Sequence, residues 1–469
     1  MEWEKLLNHD RLGYSRYAEA PDRPAFVQDA DRITFSSAFR RLANKTQVHP
    51  LYENDHIHHR LIHSVETASV GRSLGMRIGH WLENENKIKK GECHTLAGIV
   101  QAACLAHDIG NPPFGHAGES AIGKWFSKKF EDSNASSLFK DILPEEMEEL
   151  KNFDGNAQGF RLLTRLEMDR NMGGMRLSYG VLGAFVKYPV TASIRQKIKT
   201  DENYCVLKKI DMLKSEQDLL SLAKNPYCGL KKIGIFKSEL GLFKEVAEAL
   251  NLKSENTENI TWWRRDPLVF MVEAADDICY NILDLEDAYA SGDLSKNEIM
   301  DHFQGICKSI HIPQQYNAAE EIANARSDCI GKAIKACVEV FKERYDELMS
   351  GQFSTSLIEE SSIKDGFEKI KKTAKDRLFT SRRKTELEVY GRNVVHRILD
   401  GTLPVFEDLK QKNWDGEKLE AYHRQLCQTV GLDIRDVKTP YQALHALTDC
   451  VSGMTDRFAV KIAKNLSGN

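Results

Sequence analysis

Apolar residues recur along this chain with a helical rather than a strand period, and three segments carry that pattern most strongly. Residues 60–85, RLIHSVETASVGRSLGMRIGHWLENE, predict a helix in which Gly71, Gly75 and Gly79 recur every four residues. Each glycine costs helix propensity, so the spacing predicts close approach by a neighbouring helix. Residues 95–107, TLAGIVQAACLAH, are apolar on all sides and predict a buried helix. Residues 267–290, PLVFMVEAADDICYNILDLEDAYA, predict a third, with Pro267 at its first position. Alternating strand patterns are scarce. Segment 131–149 is polar and acidic and reads as a surface loop leading into a short helix. Segment 351–365, GQFSTSLIEESSIKD, marks the boundary between a region 1–350 and a C-terminal helical region 351–469. The expectation is a mostly helical chain.

Composition narrows the class only a little. Lys and Arg total 65 against 69 for Asp and Glu, so any nucleic-acid or membrane affinity must come from local patches. The first residues show neither a basic nor an apolar leader region, and no apolar run reaches the roughly 18 residues of a membrane span. The ten cysteines include no CxxC pair, as expected of reduced, buried thiols in a cytoplasmic protein.

The chemistry gathers where the second helix ends. Residues 104–119, CLAHDIGNPPFGHAGE, take an apolar run into His107-Asp108 and on to His116 and Glu119. Adjacent polar side chains at a buried helix end cost free energy unless something compensates them. A His-Asp dipeptide alone is weak evidence, and the chain carries its own control: His9-Asp10 follows no apolar helix and reads as a surface pair. His107-Asp108 differs because His63 and the pair Asp276-Asp277 interrupt helices of the same apolar character. Two imidazoles and two carboxylates drawn from His63, His107, Asp108 and one of those aspartates suit a divalent manganese, magnesium or iron ion.

The order His63, His107-Asp108, Asp276 resembles the HD-domain metal phosphohydrolases. AFRRLANKTQVHP (38–50), RLIHSVETASVGR (60–72), AHDIGNPPFGHAGE (106–119), FDGNAQGFRLL (153–163), EAADDICYNILDLEDA (273–288) and SGMTDRFA (452–459) narrow the resemblance to the deoxyguanosine triphosphate triphosphohydrolase family. It implies an all-α HD fold over 1–350 and a C-terminal region completing the pocket or subunit contacts. It also implies a bound divalent metal, a homo-oligomer, and hydrolysis of dGTP or other dNTPs to deoxynucleoside and inorganic triphosphate. The family motif places the metal ligand at Asp276 rather than Asp277, and helical spacing supports that choice. Tyr280 and Asp284 follow Asp276 at i+4 and i+8 on one face, where the resemblance puts sugar contacts: the tyrosine against C2′, the carboxylate on the 3′-hydroxyl.

Pro112-Pro113 stops the preceding helix, so His116 and Glu119 fall on the first turn of a new one. His116 suits a general acid oriented by Glu119, with acid and base roles exchangeable. Arg60 stands one turn before His63 and points into the same site. By resemblance Lys187, Tyr188 and Lys232 meet phosphate, and Arg40, Gln47 and Val48 meet the base and phosphate end. The chain departs from the family at His58-His59 and at Arg176, which bears on nucleotide preference. The run 369–384 holds eight basic residues and one acidic, as a contact for single-stranded DNA or an effector nucleotide would. Trp262-Trp263-Arg264-Arg265 pairs rings with cations as a base-binding surface does. A phosphodiesterase of signalling nucleotides shares the metal residues but has no use for GNPPFGHAGE (110–119) with Tyr280 and Asp284. A nucleotide sensor has no use for the intact ligand set.

Overall fold

The computed structural model describes residues 1–14, 19–20, 22–46, 59–170, 172–200, 227–257, 260–310, 315–378 and 382–468. Among them the fold is all-α apart from one antiparallel pair, β1 (Ser254–Thr257) and β2 (Ile260–Trp263). The helices around the site, labelled in chain order, begin with α1 (Arg60–Asn84), α2 (Glu92–Ala106), α3 (Gly115–Glu131) and α4 (Gly155–Arg161). They continue with α5 (Pro267–Ala290), α6 (Ala318–Glu343), α7 (Arg382–Gln411), α8 (Pro440–Gly453) and α9 (Asp456–Asn465). The three helices expected from periodicity are α1, α2 and α5. Asp266 caps α5 by accepting from Leu268 N–H at 2.8 Å, with Pro267 at the first position. Segment 131–149 contains the short helix Ser137–Lys140 and most of another, Pro144–Lys151.

The glycine ladder does what its spacing predicts. A β-carbon on Gly71, Gly75 or Gly79 would fall 2.5, 2.7 and 2.7 Å from Cys104 Sγ, Ala97 Cα and Cys93 Cα respectively. Only hydrogen side chains let α1 and α2 pack this closely, so the propensity cost of the glycines is spent on contact.

Apolar burial forms two clusters. The first joins α1, α2, α5 and α6 through residues such as Leu74, Ile99, Ile278 and Phe341, and takes in Phe353, Leu357 and Ile363 from segment 351–365. The second joins α3, α7, α8 and α9 through Phe126, Val395, Phe406, Leu444 and Ala459. Residues 107–116 cross from one to the other. Ile109 sinks into the first cluster and Phe114 into the second. Each such anchor is worth roughly 1.5–3 kcal/mol, so the polar turn between them is held at both ends. The site sits on that seam.

Phe114 pays for its place with a left-handed φ of 62°, uncommon for a residue with a side chain. Its ring lies under Gly391 of α7, where a β-carbon would come within 2.7 Å of it. The nine described cysteines are unpaired and seven are buried. Among the described residues no helix is long and apolar enough to cross a membrane.

Candidate metal centre

Three of the four expected ligands converge. His63 on α1, His107 at the end of α2 and Asp276 on α5 bring ligand atoms within 4.8 Å of one another. His63 Nε2 lies 3.1 Å from Asp276 Oδ1, and His107 Nε2 lies 3.4 Å from the same oxygen. Both imidazoles are buried. His107 Nδ1 is 2.7 Å from the Cys104 carbonyl, which can only accept. Nδ1 is therefore the donor, and in the neutral ring Nε2 carries the lone pair. That Nε2 is buried and makes no hydrogen bond. A lone pair facing a carboxylate oxygen at 3.4 Å requires a proton or a cation between them. This donor set fits a divalent metal.

Asp108 is turned aside. One carboxylate oxygen accepts from Arg60 Nη1 and the other from Asn111 Nδ2, the latter lying 3.7 Å from His107 Nε2. The Asp276 carboxylate is also shared: its second oxygen accepts from Lys187 Nζ at 2.7 Å. Asp277, its neighbour, faces Lys371 at 3.8 Å.

The electrostatics follow this geometry. Burial opposes ionisation of Asp108, but Arg60 and the two imidazoles hold it well below the usual carboxylate range. Asp276 is likewise pulled well down against burial, by Lys187 and His107. Burial would depress His107, yet the carboxylates of Asp108 and Asp276 hold it above the ordinary histidine value. Asp277 behaves oppositely: burial pushes it up to about 6, with Lys371 as its main offset.

A cavity of about 310 Å³ opens from this centre, at the lower end of small-molecule sites. Arg60, Lys187, Tyr188, Lys232 and Tyr280 line it, with His116 and Glu119 beside them. His116 Nδ1 is 2.7 Å from Glu119 Oε2, and Glu119 Oε1 accepts from Gly155 N–H at 2.8 Å. As expected, the pair occupies the first turns of a new helix. The His116 side chain is 80% exposed, whereas that of Glu119 is 11%. The outer imidazole therefore rides on an inner, fixed carboxylate.

Other expected residues lie elsewhere. Asp284 is buried one turn beyond Tyr280 and does not line the cavity; its carboxylate, with burial as the larger cause, raises the Tyr280 hydroxyl above its ordinary value. Arg40 is exposed on the helix Ser37–Arg41, whose buried side chains are Ala38 and Phe39, and does not line the cavity. Gln47, Val48 and His58 lie outside the described residues. His9 and Asp10 are exposed, as their setting predicts.

The reading of residues 262–265 as a base-binding surface is corrected. Trp262, Trp263, Arg264 and Arg265 are all buried. Arg264 stacks on Tyr227 and Trp262, while Arg265 pairs with Glu273 and donates to the Lys187 carbonyl at 2.7 Å. The motif braces Lys187 from behind. In the basic run, Lys371 faces Asp277, and Arg377 pairs with Glu298. Residues 379–381 lie outside the described residues.

Several supporting residues were not foreseen. Asn111 holds Asp108. Lys45, buried and pushed down by that burial to about 7, donates to the carbonyls of Asn111 and Ser452 at 2.6 Å each. Asp456 accepts from Phe114 N–H at 3.0 Å and from the N–H and hydroxyl of Thr46 at 3.1 and 2.6 Å. Asp456 belongs to SGMTDRFA, and its place directly after Thr455 at a helix start was the available signal.

An HD domain model matches residues 60–158, the span holding His63, His107, Asp108, His116 and Glu119. A "deoxyguanosinetriphosphate triphosphohydrolase-like protein" of Synechocystis is 36% identical over 100% of this chain and 99% of its own. One of the same description from Pseudomonas aeruginosa is 34% identical with the same coverage. A "deoxyguanosinetriphosphate triphosphohydrolase" of Yersinia enterocolitica is 29% identical over 92% of each chain.

Proposed function

The chain belongs to the deoxyguanosinetriphosphate triphosphohydrolase-like family of HD-domain, metal-dependent phosphohydrolases, and from that premise we propose that it hydrolyses dGTP or another dNTP to deoxynucleoside and inorganic triphosphate. One observation carries the reading. The imidazole–carboxylate cluster closes one end of a cavity whose walls hold Arg60, Lys187 and Lys232, with the His116–Glu119 pair alongside. Phosphate cations, a metal centre and an acid–base pair thus meet in one space.

In this proposal His63, His107, Asp108 and Asp276 hold a divalent ion, manganese or magnesium by preference and iron as a further option. Bound there, it supplies Lewis-acid polarisation of a phosphate oxygen. The protein's own groups do the rest. Water adds to the α-phosphorus and releases a proton to solvent, the bond from that phosphorus to the 5′-oxygen breaks, and the 5′-oxygen takes a proton. His116 gives it. Its Nδ1 is committed to Glu119, so Nε2 is the atom that delivers. Glu119 is itself anchored by Gly155 N–H, and burial is outweighed by His116 and Lys232, which hold its carboxyl below the usual range. Glu119 thus stays ionised. Arg60, Lys187, Tyr188 and Lys232 receive the phosphates. Tyr280 packs against C2′ and excludes a 2′-hydroxyl, and Gln47 and Val48 serve the base end; Asp284 and Arg40, which do not line the cavity, make no substrate contact. Incubation with each dNTP and GTP, with manganese or magnesium, followed by chromatography of the products tests this. Deoxynucleoside and tripolyphosphate in equal amounts are expected; nucleoside mono- or diphosphate products, or no turnover of any dNTP, would overturn it.

A further inference from the structure

Behind the His116–Glu119 pair lies a second, open groove of about 500 Å³ that no step above uses. His116, Glu119 and Lys232 line both spaces, so they form the partition between the cavity and this groove. One wall is a face of α3 carrying Ser120, Lys124 and Ser127; the other brings Lys151 and Asp154. Gly123 makes the floor, where a β-carbon would sit 2.4 Å from the Lys151 carbonyl. The two acids of the groove are already engaged. Glu119 is bound to His116 and Gly155 N–H, and Asp154 accepts from Asn156 N–H and Nδ2 at 2.9 and 2.8 Å as the cap of α4. Among the described residues neither Lys124 nor Lys151 pairs with a carboxylate, and Lys151 reaches only over the Phe130 ring. Lys232 at the partition, Lys124 on α3 and Lys151 opposite thus bring three basic side chains to the lining of the groove.

We infer that this groove binds inorganic triphosphate as it leaves, with Lys124 and Lys151 as its cations. The inference rests on the triphosphohydrolase reading. The deoxynucleoside carries no charge after cleavage, whereas the other product is a polyanion that follows positive potential out of the site. An intact substrate keeps its phosphates on the cavity side of the partition, so the groove distinguishes product from substrate.

The test is inhibition by sodium tripolyphosphate, with its direct binding by calorimetry, in the full-length protein and the variant Lys124→Glu/Lys151→Glu. Both side chains lie outside the substrate-contact set proposed above. The inhibition constant and the calorimetric Kd should each rise roughly three- to tenfold, while the KM for dGTP moves by less than about twofold, the two charges lying beyond its phosphates. A parallel rise in KM would place the triphosphate only where the substrate's phosphates sit and would overturn the inference. So would an unchanged Kd. If no dNTP is turned over, the triphosphohydrolase reading fails by itself, and the calorimetric comparison alone still decides whether the groove takes a polyphosphate.

Discussion

Asp456→Ala removes a residue far from His116 in sequence and should nevertheless disable it. The carboxylate is 2% exposed and takes three hydrogen bonds, from Phe114 N–H, Thr46 N–H and the Thr46 hydroxyl. The Phe114 bond is buried, and leaving such an N–H unsatisfied costs about 1–3 kcal/mol. The Thr46 groups are partly buried and recover some of their loss from water. A first-turn acid on α9 is lost as well, worth roughly 0.3–1 kcal/mol. Together these give a loss of about 3 kcal/mol, read as a lower midpoint of urea unfolding at constant slope. Phe114 holds its left-handed backbone with Asp456 as partner, and His116 follows two residues later. Turnover should therefore fall at temperatures where the variant is still folded. Metal content should stay, because none of the converging ligands touches Asp456. Asp456→Asn offers one acceptor and one unwanted NH2, and should fall between the parent and the alanine variant. A stability change below about 0.5 kcal/mol, typical of a surface substitution, with turnover intact would refute this account.

Asp276→Ala should abolish metal retention and turnover, measured by elemental analysis after gel filtration, while Asp277→Ala, which removes a carboxylate facing Lys371, should do much less; the reverse ranking would remove the ligand assignment. His116→Ala should keep metal and bind nucleotide yet lose about 10²- to 10⁴-fold in kcat, and loss of metal instead would make His116 a ligand. Tyr280→Ala should raise the kcat/KM of GTP relative to dGTP; an unchanged ratio would mean that the ring does not meet the sugar. Asp266 is pushed up by burial to about 7, above its unfolded value of about 3.9. The folded state therefore holds a proton that the unfolded chain has released, and this contribution is present below about pH 4 and lost as pH rises through 7. Asp266→Asn should gain stability over the parent at pH 8 relative to pH 5 by a few kcal/mol in urea titrations, and a pH-independent difference would contradict that.

The elements legible in the sequence are those whose signal is local. Helical period identified α1, α2 and α5, and the four-residue recurrence of Gly71, Gly75 and Gly79 predicted the α1–α2 contact. Polar residues stranded on apolar helices pointed to His63, His107 and Asp276, because burial without a partner is costly wherever it occurs. What stayed hidden depends on the mutual placement of distant segments. The tilt of Asp108 toward Arg60 and Asn111 is set by the path of the 107–116 turn across two cores. The depth of Asp284 depends on how far α5 sinks beside α1 and α2, and i+8 spacing fixes direction around a helix but not depth. Trp262-Trp263-Arg264-Arg265 shows the limit most plainly, since stacked rings and guanidinium groups form the same local pattern on a binding surface and inside a brace. Only Glu273, eight residues on, and the Lys187 carbonyl tell them apart.

The charge arrangement links the metal reading to the phosphate reading. Asp276 presents one oxygen to the imidazoles and gives the other to Lys187; Asp108 gives one to Arg60 while its other stands 3.7 Å from His107 Nε2. Two of the three proposed phosphate cations, Arg60 and Lys187, are therefore the present partners of proposed ligand carboxylates. A buried carboxylate deprived of its cation is unstable, and so is a buried cation deprived of its carboxylate. On that proposal a phosphate chain entering the cavity would give Arg60 and Lys187 a second anion and would weaken their hold on Asp108 and Asp276. Those carboxylates would then bind a divalent cation more strongly than they would alone. By linkage the same coupling would work in reverse, so metal affinity and nucleotide affinity would rise together. On that proposal Lys187 and Arg60 would act on both ligands at once.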